Sequence, residues 1–566
     1  MSTLLYLQSL ALFGLFSLNS LPHFVRKIGN EVYPSLVVST EVATILIAAC
    51  LFMVARGVGQ RRSRAWLSAT TLQVILILTS VFHSAHFLYH PNSKSSISFI
   101  QFSFSHLLSE FVVLGLLIYF RRDFKTVTDP LTRNQTLFFF FRNLFLGFVL
   151  GSIIVFFDSH SFKQPPNILN AFEIAIKGLI GISGSLEFVS ISAQERLEFF
   201  LGGIGLLVAI STLTKFLRPA SRNTVLTQEN ELKVRNLLER YSASDSLSYF
   251  ALRENKNVVW SKNQKSAIPY SVVNGVMITT GDPLGDQESW PSAMKEFLDE
   301  AQRHAWLPAI YGCSEEAGQI WVRESNFDAL EIGDEAVVSV ATFTLDGPEM
   351  KNVRQTINRI NRFEYTTTTQ KIKNIDVETR EKLSSLAQHW RGNASERGFS
   401  MALGRFCDIR DPECVITWSE LNGEILALLQ FVPWNENGLS LDLMRRSPSA
   451  ETGVNELMIC ATLEYAKKNQ IEHISLNFAS FRSVFERGKK LGAGPITRLN
   501  HRVLVFLSRF FQMESLYRFN AKFRPVWEPR FVIFPGVSNL LRVGLAILRI
   551  ESFVTTPKFR VKNKIS

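Results

Sequence analysis

Cysteine is scarce: Cys50, Cys313, Cys407, Cys414 and Cys460 are the only five in 566 residues, none in a CxxC spacing and none beside a histidine at ligand distance. That pattern excludes a disulfide framework and offers no metal site. It suits a cytosolic setting for the polar part of the chain. Ser-His-Asp and Cys-His signatures of a nucleophilic enzyme are also lacking. Charge is scarce in one region only: residues 1–217 hold 16 of the 61 Lys and Arg and 10 of the 50 Asp and Glu. The remainder is charged like an ordinary soluble domain. With 46% hydrophobic residues overall, disorder is excluded.

Six apolar runs fill the charge-poor region, at Leu4–Pro22, Leu36–Ala55, Trp66–Leu88, Ile97–Phe120, Leu137–Phe157 and Phe199–Leu217. Each is near the roughly 20 residues that cross a hydrocarbon core. Between the last two, Ile168–Phe188 is interrupted by Glu173, Lys177 and Glu187 and reads as re-entrant or interfacial. Arg56, Arg61, Arg62 and Arg64 follow the second run, Arg121, Arg122, Lys125 and Arg133 the fourth, and Lys215, Arg218 and Arg222 the sixth. The positive-inside rule then puts both termini in the cytoplasm. The first run lacks a basic leader and is expected to stay in the mature chain. Glu110 and Arg142 lie inside runs, where an ionisable group is costly; the two are candidates to pair with one another or to handle lipid.

From Ser221 the pattern changes to alternating strands and amphipathic helices. Helices are expected at Val225–Tyr241, Trp290–His304 and Val377–Arg391, the last stopped by Gly392. Strands are expected at Ser248–Leu252, Asn257–Trp260, Ser271–Thr279 and Leu307–Gly312, with a turn at Gly281–Gly285. A second alternating region starts near Lys371–Ile375. It holds strands Glu424–Val432 and Gly438–Met444, helix Val454–Lys468 and strand His473–Phe478, a βαβ order that implies a parallel pair. The expected division is residues 1–220 as a membrane domain, 221–374 as a first α/β domain and 375–566 as a second.

On strand Leu439–Met444, alternation puts Leu439, Leu441 and Leu443 on one face and Ser440, Asp442 and Met444 on the other. A carboxylate on a buried strand needs a partner, and Arg445 is the near candidate. The loop Arg445–Gly453 precedes a helix N-terminus and suits an anion, although a plain connector fits as well. Near the C-terminus, Arg518, Lys522, Arg524 and Arg530 interleave with Tyr517, Phe519, Phe523 and Trp527, which suits phosphates and bases or a membrane interface. Val537–Phe553 is an apolar helix followed by a basic tail, expected against an anionic leaflet. Lys351, Arg354, Arg359 and Arg362 recur along one helix, either a solvated face or a nucleic-acid footprint.

Taken together, Gly281-Asp-Pro-Leu-Gly285, Gly333-Asp-Glu-Ala336, Met350-Lys-Asn-Val-Arg354, Ser440-Leu-Asp-Leu-Met-Arg445, Gly453-Val-Asn-Glu456, Ser475-Leu-Asn-Phe-Ala479 and Lys522-Phe-Arg-Pro-Val-Trp-Glu-Pro-Arg530 resemble the phosphatidylglycerol aminoacyltransferases, or multiple peptide resistance factors. The likeness is strongest to the actinobacterial lysylphosphatidylglycerol synthetases and covers most of residues 225–550. It implies tandem GNAT-like acyltransferase domains behind an α-helical membrane domain of about six spans. The implied reaction moves an amino acid, lysine favoured, from aminoacyl-tRNA to phosphatidylglycerol, lowering negative surface charge and conferring resistance to cationic peptides.

Carried over by position, the resemblance makes Asp442, Arg445 and Lys522 catalytic, with Arg530, Asn477, Glu456 and Trp527 binding substrate and Lys351, Arg354, Arg359 and Arg362 meeting tRNA. No metal and no cofactor is implied beyond aminoacyl-tRNA as co-substrate. The chain is expected in the cell membrane, multi-pass, with its catalytic part in the cytoplasm, among anionic lipids, with homo-oligomerisation open. Without the lysyl-tRNA synthetase domain of the large family members, charged tRNA is expected from the cytosolic pool. Ester-to-ester transfer needs alignment, a proton shuttle and charge stabilisation but no covalent intermediate, which agrees with the missing nucleophile signatures. The alternatives are a flippase or transporter with a regulatory cytosolic part, an alanyl-transferring enzyme and a tethered acyl-CoA N-acetyltransferase. Against the last, Arg445–Gly453 lacks a compact glycine-rich loop for a pyrophosphate.

Overall fold

The computed structural model describes residues 2–19, 41–59, 61–89, 96–124, 130–180, 186–217, 225–241, 245–392, 398–480 and 513–553. The chain divides into two compact units at Ala220/Ser221. In the first, the described residues form α1 (Ser2–Asn19), α2 (Glu41–Gly59), α3 (Ser63–Tyr89), α4 (Ser96–Tyr119), α5 (Pro130–Phe157), α6 (Ile168–Leu179) and α7 (Ile191–Phe216). Two stretches of these are long and apolar enough to cross a membrane, Thr136–Phe157 and Arg196–Phe216, with Ile47–Gly59 and Ser63–Leu78 as shorter apolar helices. The segment expected to be re-entrant contains the amphipathic helix α6, which buries Ala171, Ile174, Ala175 and Gly178. Gly178 and Gly205 allow its close approach to α7, since a Cβ on either would collide with Leu201 or with the Leu179 carbonyl. Arg142 does not pair with Glu110; its guanidinium lies over Phe139 and donates to Asn143.

The second unit is built on one large mixed sheet. Its strands are β1 (Asn257–Trp260), β2 (Ser266–Val273), β3 (Val276–Thr280), β4 (Leu284–Gly285), β5 (Leu307–Cys313), β6 (Asp328–Ser339), β7 (Thr366–Lys371), β8 (Val415–Leu421), β9 (Glu424–Trp434), β10 (Gly438–Arg446), β11 (His473–Ser480) and β12 (Val526–Phe534). Their spatial order is β1-β2-β3-β5-β12-β6-β11-β10-β9-β8-β7, with β4 beside β2. Strand placement does not follow chain order: β12 sits between β5 and β6, and β7 closes the far edge beside β8.

Helices α8 (Gln228–Arg240), α9 (Trp290–Arg303), α10 (Glu315–Ser325), α11 (Lys351–Asn361), α12 (Val377–Arg391), α13 (Val454–Lys468), α14 (Met513–Ala521) and α15 (Leu540–Ile550) complete the unit. One sheet face is covered by α8, α12 and α15 through Val234, Leu237, Leu383, Ala387, Val543 and Ala546. The other is covered by α9 and α10 at one end, and by α11 and α13 at the other. Burying apolar side chains on both faces supplies most of the drive for this arrangement, at about 25 cal/mol per Å² removed from water.

Two expectations change. Ser248–Leu252 is a 3-10 turn instead of a strand; all but Tyr249 are buried, so no polar face alternates, and the preceding Asp245 carboxylate accepts the Leu247 N–H at 3.1 Å. The single strand expected at Ser271–Thr279 is a hairpin, because Asn274 and Gly275, both at positive φ, form the tight reversal between β2 and β3. The C-terminal apolar helix is α15, whose inward face packs on the sheet while Arg542 and Arg549 donate to the Asn274–Gly275 turn. The basic tail beyond Phe553 lies outside the described residues. The expected βαβ unit is present: β10 and β11 are parallel and α13 crosses between them.

Candidate functional site

Strand β10 departs from simple alternation at Asp442. Leu441 pairs with Phe431 and Leu443 with Gln430, so Asp442 is the extra residue of a bulge. Beyond it the phase inverts: Leu443 packs with the α12 side of the sheet and Met444 with the α13 side, contrary to the alternation expected for both. The bulge puts Asp442, Leu443 and Arg445 on one face together.

There they line a cavity of about 250 Å³ closed by Ser384, Ala387, Gln388 and Arg391 of α12 and by Gly404, Arg405, Phe406 and Asp408. Asp442 Oδ1 accepts the Leu403 N–H at 2.7 Å, and Oδ2 accepts from Gln430 Nε2. The other end of Gln430 accepts the Cys407 N–H at 2.8 Å. Arg445 donates to the Ala387 carbonyl at 2.6 Å, near the C-terminal end of α12. A second cation, Arg405, is held by Asp411 at 2.5 and 3.0 Å and donates to the Leu252 carbonyl. Asp411 also accepts from Arg235 and Tyr249, each at 2.9 Å. Burial alone would push the Asp411 carboxyl up, but hydrogen bonds and charge from Arg405 and Arg235 hold it below the usual range. The cavity therefore combines three guanidinium groups with two carboxylates, able to take a bipolar ligand carrying an ammonium and an anionic or developing-anionic oxygen.

The β10–β11 ladder lasts only three residues, Gly438–Ser440 against His473–Ser475. Where it ends, Asn477, at φ +66°, donates from Nδ2 to the Leu441 carbonyl, which ties it to the bulge. Among the described residues, the buried atoms Ser440 Oγ and Asn477 Oδ1 have no hydrogen-bond partner. Such orphans beside a gap between strands invite a ligand.

Lys522 does not join the Asp442 cavity. It donates to Glu456, in the first turn of α13, at 2.7 Å and lies over Phe519, on the face covered by α11 and α13. Asn520 anchors the end of α14 to the Leu476 carbonyl on β11. Trp527 stacks on Tyr517 with ring centres 4.9 Å apart.

Arg530 lies at the centre of a buried ionic cluster. Its guanidinium reaches Asp245 at 2.7 Å, Glu335 through Nε at 2.9 Å, the Gly312 carbonyl at 3.2 Å and Ser246 at 3.1 Å. Asp245 accepts the Asp282 N–H, and Asp282 accepts from both the N–H and hydroxyl of Ser314. Ser475 donates to Glu335. Burial opposes ionisation of Glu335, yet the Arg530 charge and the two serine hydroxyls keep it below its ordinary value. For Asp282, burial and the neighbouring Asp245 prevail and push it up to about 7. Gly281, at φ +70°, is required here because a Cβ would strike the Asp245 carboxylate.

On the basic helix α11, Lys351, Arg359 and Arg362 are exposed, whereas Arg354 is turned inward to the Leu345 and Gly347 carbonyls. Arg359 caps the Thr452 carbonyl at the entry to α13. The sequence reading assigned no role to Arg405, Asp411, Gln430, Asp245 or Glu335. Glu335 entered only as part of the Gly333–Ala336 motif and Gln430 left a signal as a lone amide in the apolar run of β9; the rest look like ordinary surface charges until the chain folds. Among the described residues no cluster of His, Cys, Asp and Glu could hold a metal ion.

Residues 235–534 match the family model described as phosphatidylglycerol lysyltransferase, C-terminal. The lysylphosphatidylglycerol biosynthesis bifunctional protein LysX of Rhodococcus jostii is 35% identical over 521 residues, 92% of this chain and 45% of that protein. The protein of the same name from Mycobacterium marinum is 41% identical over 370 residues, 65% of this chain and 33% of that protein. The chain thus spans less than half the length of these relatives. Among solved structures, L-PGS from Bacillus licheniformis aligns with a TM-score of 0.52 at 23% identity, covering 60% of this chain and 100% of that one. That likeness is one of fold.

Proposed function

Because the chain belongs to the phosphatidylglycerol lysyltransferase family, we propose that it transfers an amino acid, lysine first, from aminoacyl-tRNA to a hydroxyl of phosphatidylglycerol at the cytoplasmic face of a membrane. A multi-pass membrane domain of about six spans and GNAT-like lobes near residues 221–374 and 375–566, interleaved through β7 and β12, are part of this reading. So is a lowered negative surface charge that protects against cationic peptides.

The observation that carries it is the bulge at Asp442, which turns a carboxylate and Arg445 into one polar cavity. In the transfer, the lipid oxygen bonds to the ester carbonyl carbon, the ribose oxygen leaves, and the lipid hydroxyl proton ends on that ribose oxygen. Asp442 suits the α-ammonium of the aminoacyl group or the hydroxyl proton in transit. Arg445 suits the oxyanion or the lipid phosphate, because its guanidinium is oriented by the Ala387 carbonyl and needs little reorganisation. Asn477 Oδ1 and Ser440 Oγ are acceptors for a donor group entering the gap beyond the β10–β11 ladder. Lys522, paired with Glu456, is assigned to a phosphate of the tRNA end near α13, with Trp527 nearby for stacking. Arg530 supports the scaffold beneath Ser475 and does not meet substrate directly.

The test is the full chain in phosphatidylglycerol vesicles with lysyl-tRNA, product lipid read by mass spectrometry. Asp442→Asn and Arg445→Ala should each cut turnover by on the order of 100-fold. Wild-type turnover in both variants would place the site elsewhere, and a mass increment other than lysyl would reassign the amino acid.

A further inference from the structure

The Leu403 N–H that meets Asp442 belongs to a short loop, residues 398–404, bracketed by two glycines at positive φ, Gly398 at +85° and Gly404 at +82°. The loop is wrapped around one side chain that comes from far upstream: Arg253 donates through a single terminal nitrogen to the Gly398 carbonyl at 3.0 Å and to the Ala402 carbonyl at 2.7 Å. The guanidinium is aimed by Asn255, which accepts from Nε at 2.9 Å, and it lies 5.9 Å from the ring centre of the buried Phe399. Gly404 lets the loop close against it, as a Cβ there would come within 3.5 Å of Arg253 Cζ. From the other end of the chain, Glu551, just past α15, accepts the Ser400 N–H at 2.9 Å. Lys256 Nζ lies 4.7 Å from the centre of the same ring and donates to Thr280.

We propose that Arg253 is a positioning residue for the transfer reaction: by holding the Gly398 and Ala402 carbonyls it fixes the Leu403 N–H that orients the Asp442 carboxylate. The inference rests on the reading of Asp442 given above. Arg253 is not itself among the residues that line the cavity. Its influence passes through the loop backbone, whose two carbonyls are one residue before and five residues before Leu403. A loop held at both carbonyls keeps the amide within hydrogen-bond reach of Oδ1. Released, the amide and the carboxylate lose their common frame, and Asp442 is no longer registered to the loop as it is to Gln430. Misplacement of a reacting group by about 1 Å is enough to cost on the order of 100-fold in rate. The charged groups around the loop are Arg253, Lys256 and Glu551 on its buried side and Arg405, Arg445, Arg391 and Asp408 on the cavity side.

The experiment compares wild type, Arg253→Met, Arg253→Lys and Asp442→Asn as full-length chains in phosphatidylglycerol vesicles, with activity expressed per folded molecule by protease resistance. The expected result is a kcat lowered by on the order of 10- to 100-fold in Arg253→Met, with KM for lipid and for lysyl-tRNA within about twofold of wild type. Arg253→Lys, which retains a donor for the carbonyls, should recover part of that loss. Should Arg253→Met fold too poorly to assay, Arg253→Lys alone decides: an intermediate kcat at unchanged KM supports the proposal. A wild-type kcat per folded molecule in either variant, or a loss confined to KM, overturns it. Asp442→Asn separates the two ideas, since full activity in that variant defeats the site assignment, whereas an inactive Asp442→Asn beside a fully active Arg253→Met defeats only the positioning role.

Discussion

Gln430 on β9 donates from its amide nitrogen to Asp442 on β10, and the same side chain accepts the Cys407 N–H, so one amide locks the bulge to the loop over it. Because an amide presents a donor at one end and an acceptor at the other, its orientation is set by these two partners.

Replacing Gln430 by glutamate keeps the shape but removes the donor facing Asp442 and puts two carboxylates together. Their shared repulsion favours keeping a proton on the pair. Transfer activity at neutral pH should fall by 10-fold or so, and part of it should return as the pH is lowered toward 5. A pH–rate profile of Gln430→Glu that overlies wild type would show that Gln430 does not control the Asp442 charge.

Lys256 is buried and its ammonium is pushed down to about 7, by desolvation first and by Arg253 second, with Glu551 and Asp245 opposing. In the unfolded chain it titrates near 10.4. Below pH 7 the side chain is charged in both states, so the cost of burying the charge is fully present; between pH 7 and about 10 the folded form sheds its proton and that cost disappears. Lys256→Met should therefore stabilise the protein at pH 6, by on the order of a few kcal/mol, and by much less at pH 9. Thermal midpoints of the variant and wild type at the two pH values test this, and a difference independent of pH would count against it.

Arg530 neutralises Asp245 and Glu335 in a region closed to water. Removing one partner of such a cluster leaves uncompensated buried charge at about 3–5 kcal/mol. Arg530→Met should accordingly reduce the yield of folded protein and its thermal midpoint, while whatever folds retains near-normal KM values. A stable Arg530→Met with a raised KM for either substrate would restore a substrate-binding role to this arginine.

The four cations of α11 and its C-cap should behave differently from one another. Lys351 and Arg362 are exposed, so the double variant Lys351→Ala, Arg362→Ala should raise the KM for lysyl-tRNA and flatten its dependence on salt, by about one unit of log–log slope per lost phosphate contact. Arg354 bonds the backbone at Leu345 and Gly347; Arg354→Ala should lower stability by about 1 kcal/mol and leave the salt slope alone. Titrating salt in binding assays with the three proteins separates the two behaviours.

Periodicity sufficed for the regular pieces of the second unit: the α12 stop at Gly392, the β10–α13–β11 crossover and the helix after Gly453 all follow from local spacing and caps. It failed at Ser248–Leu252, where burial of all but Tyr249 erases the polar half of the pattern, and at Asn274–Gly275, where a two-residue turn hides inside an apolar run. For the first unit, the apolar runs were plain from composition, but the pairing imagined for Glu110 and Arg142 was not.

What the linear chain determined by itself was where apolar and polar faces alternate, because those are set by side chains a few residues apart. It also supplied Asp442 and Arg445 as neighbours. Which way Asp442 points was decided by the tertiary structure: the β10 bulge needs β9 alongside to register against, and the carboxylate needs Gln430 and Leu403 to hold it. The same holds for Arg530, Arg253 and Lys522, whose partners lie tens to hundreds of residues away. A charge has no local signature for burial, so only folding distinguishes the arginine that closes a loop from the one that waits on the surface for a phosphate.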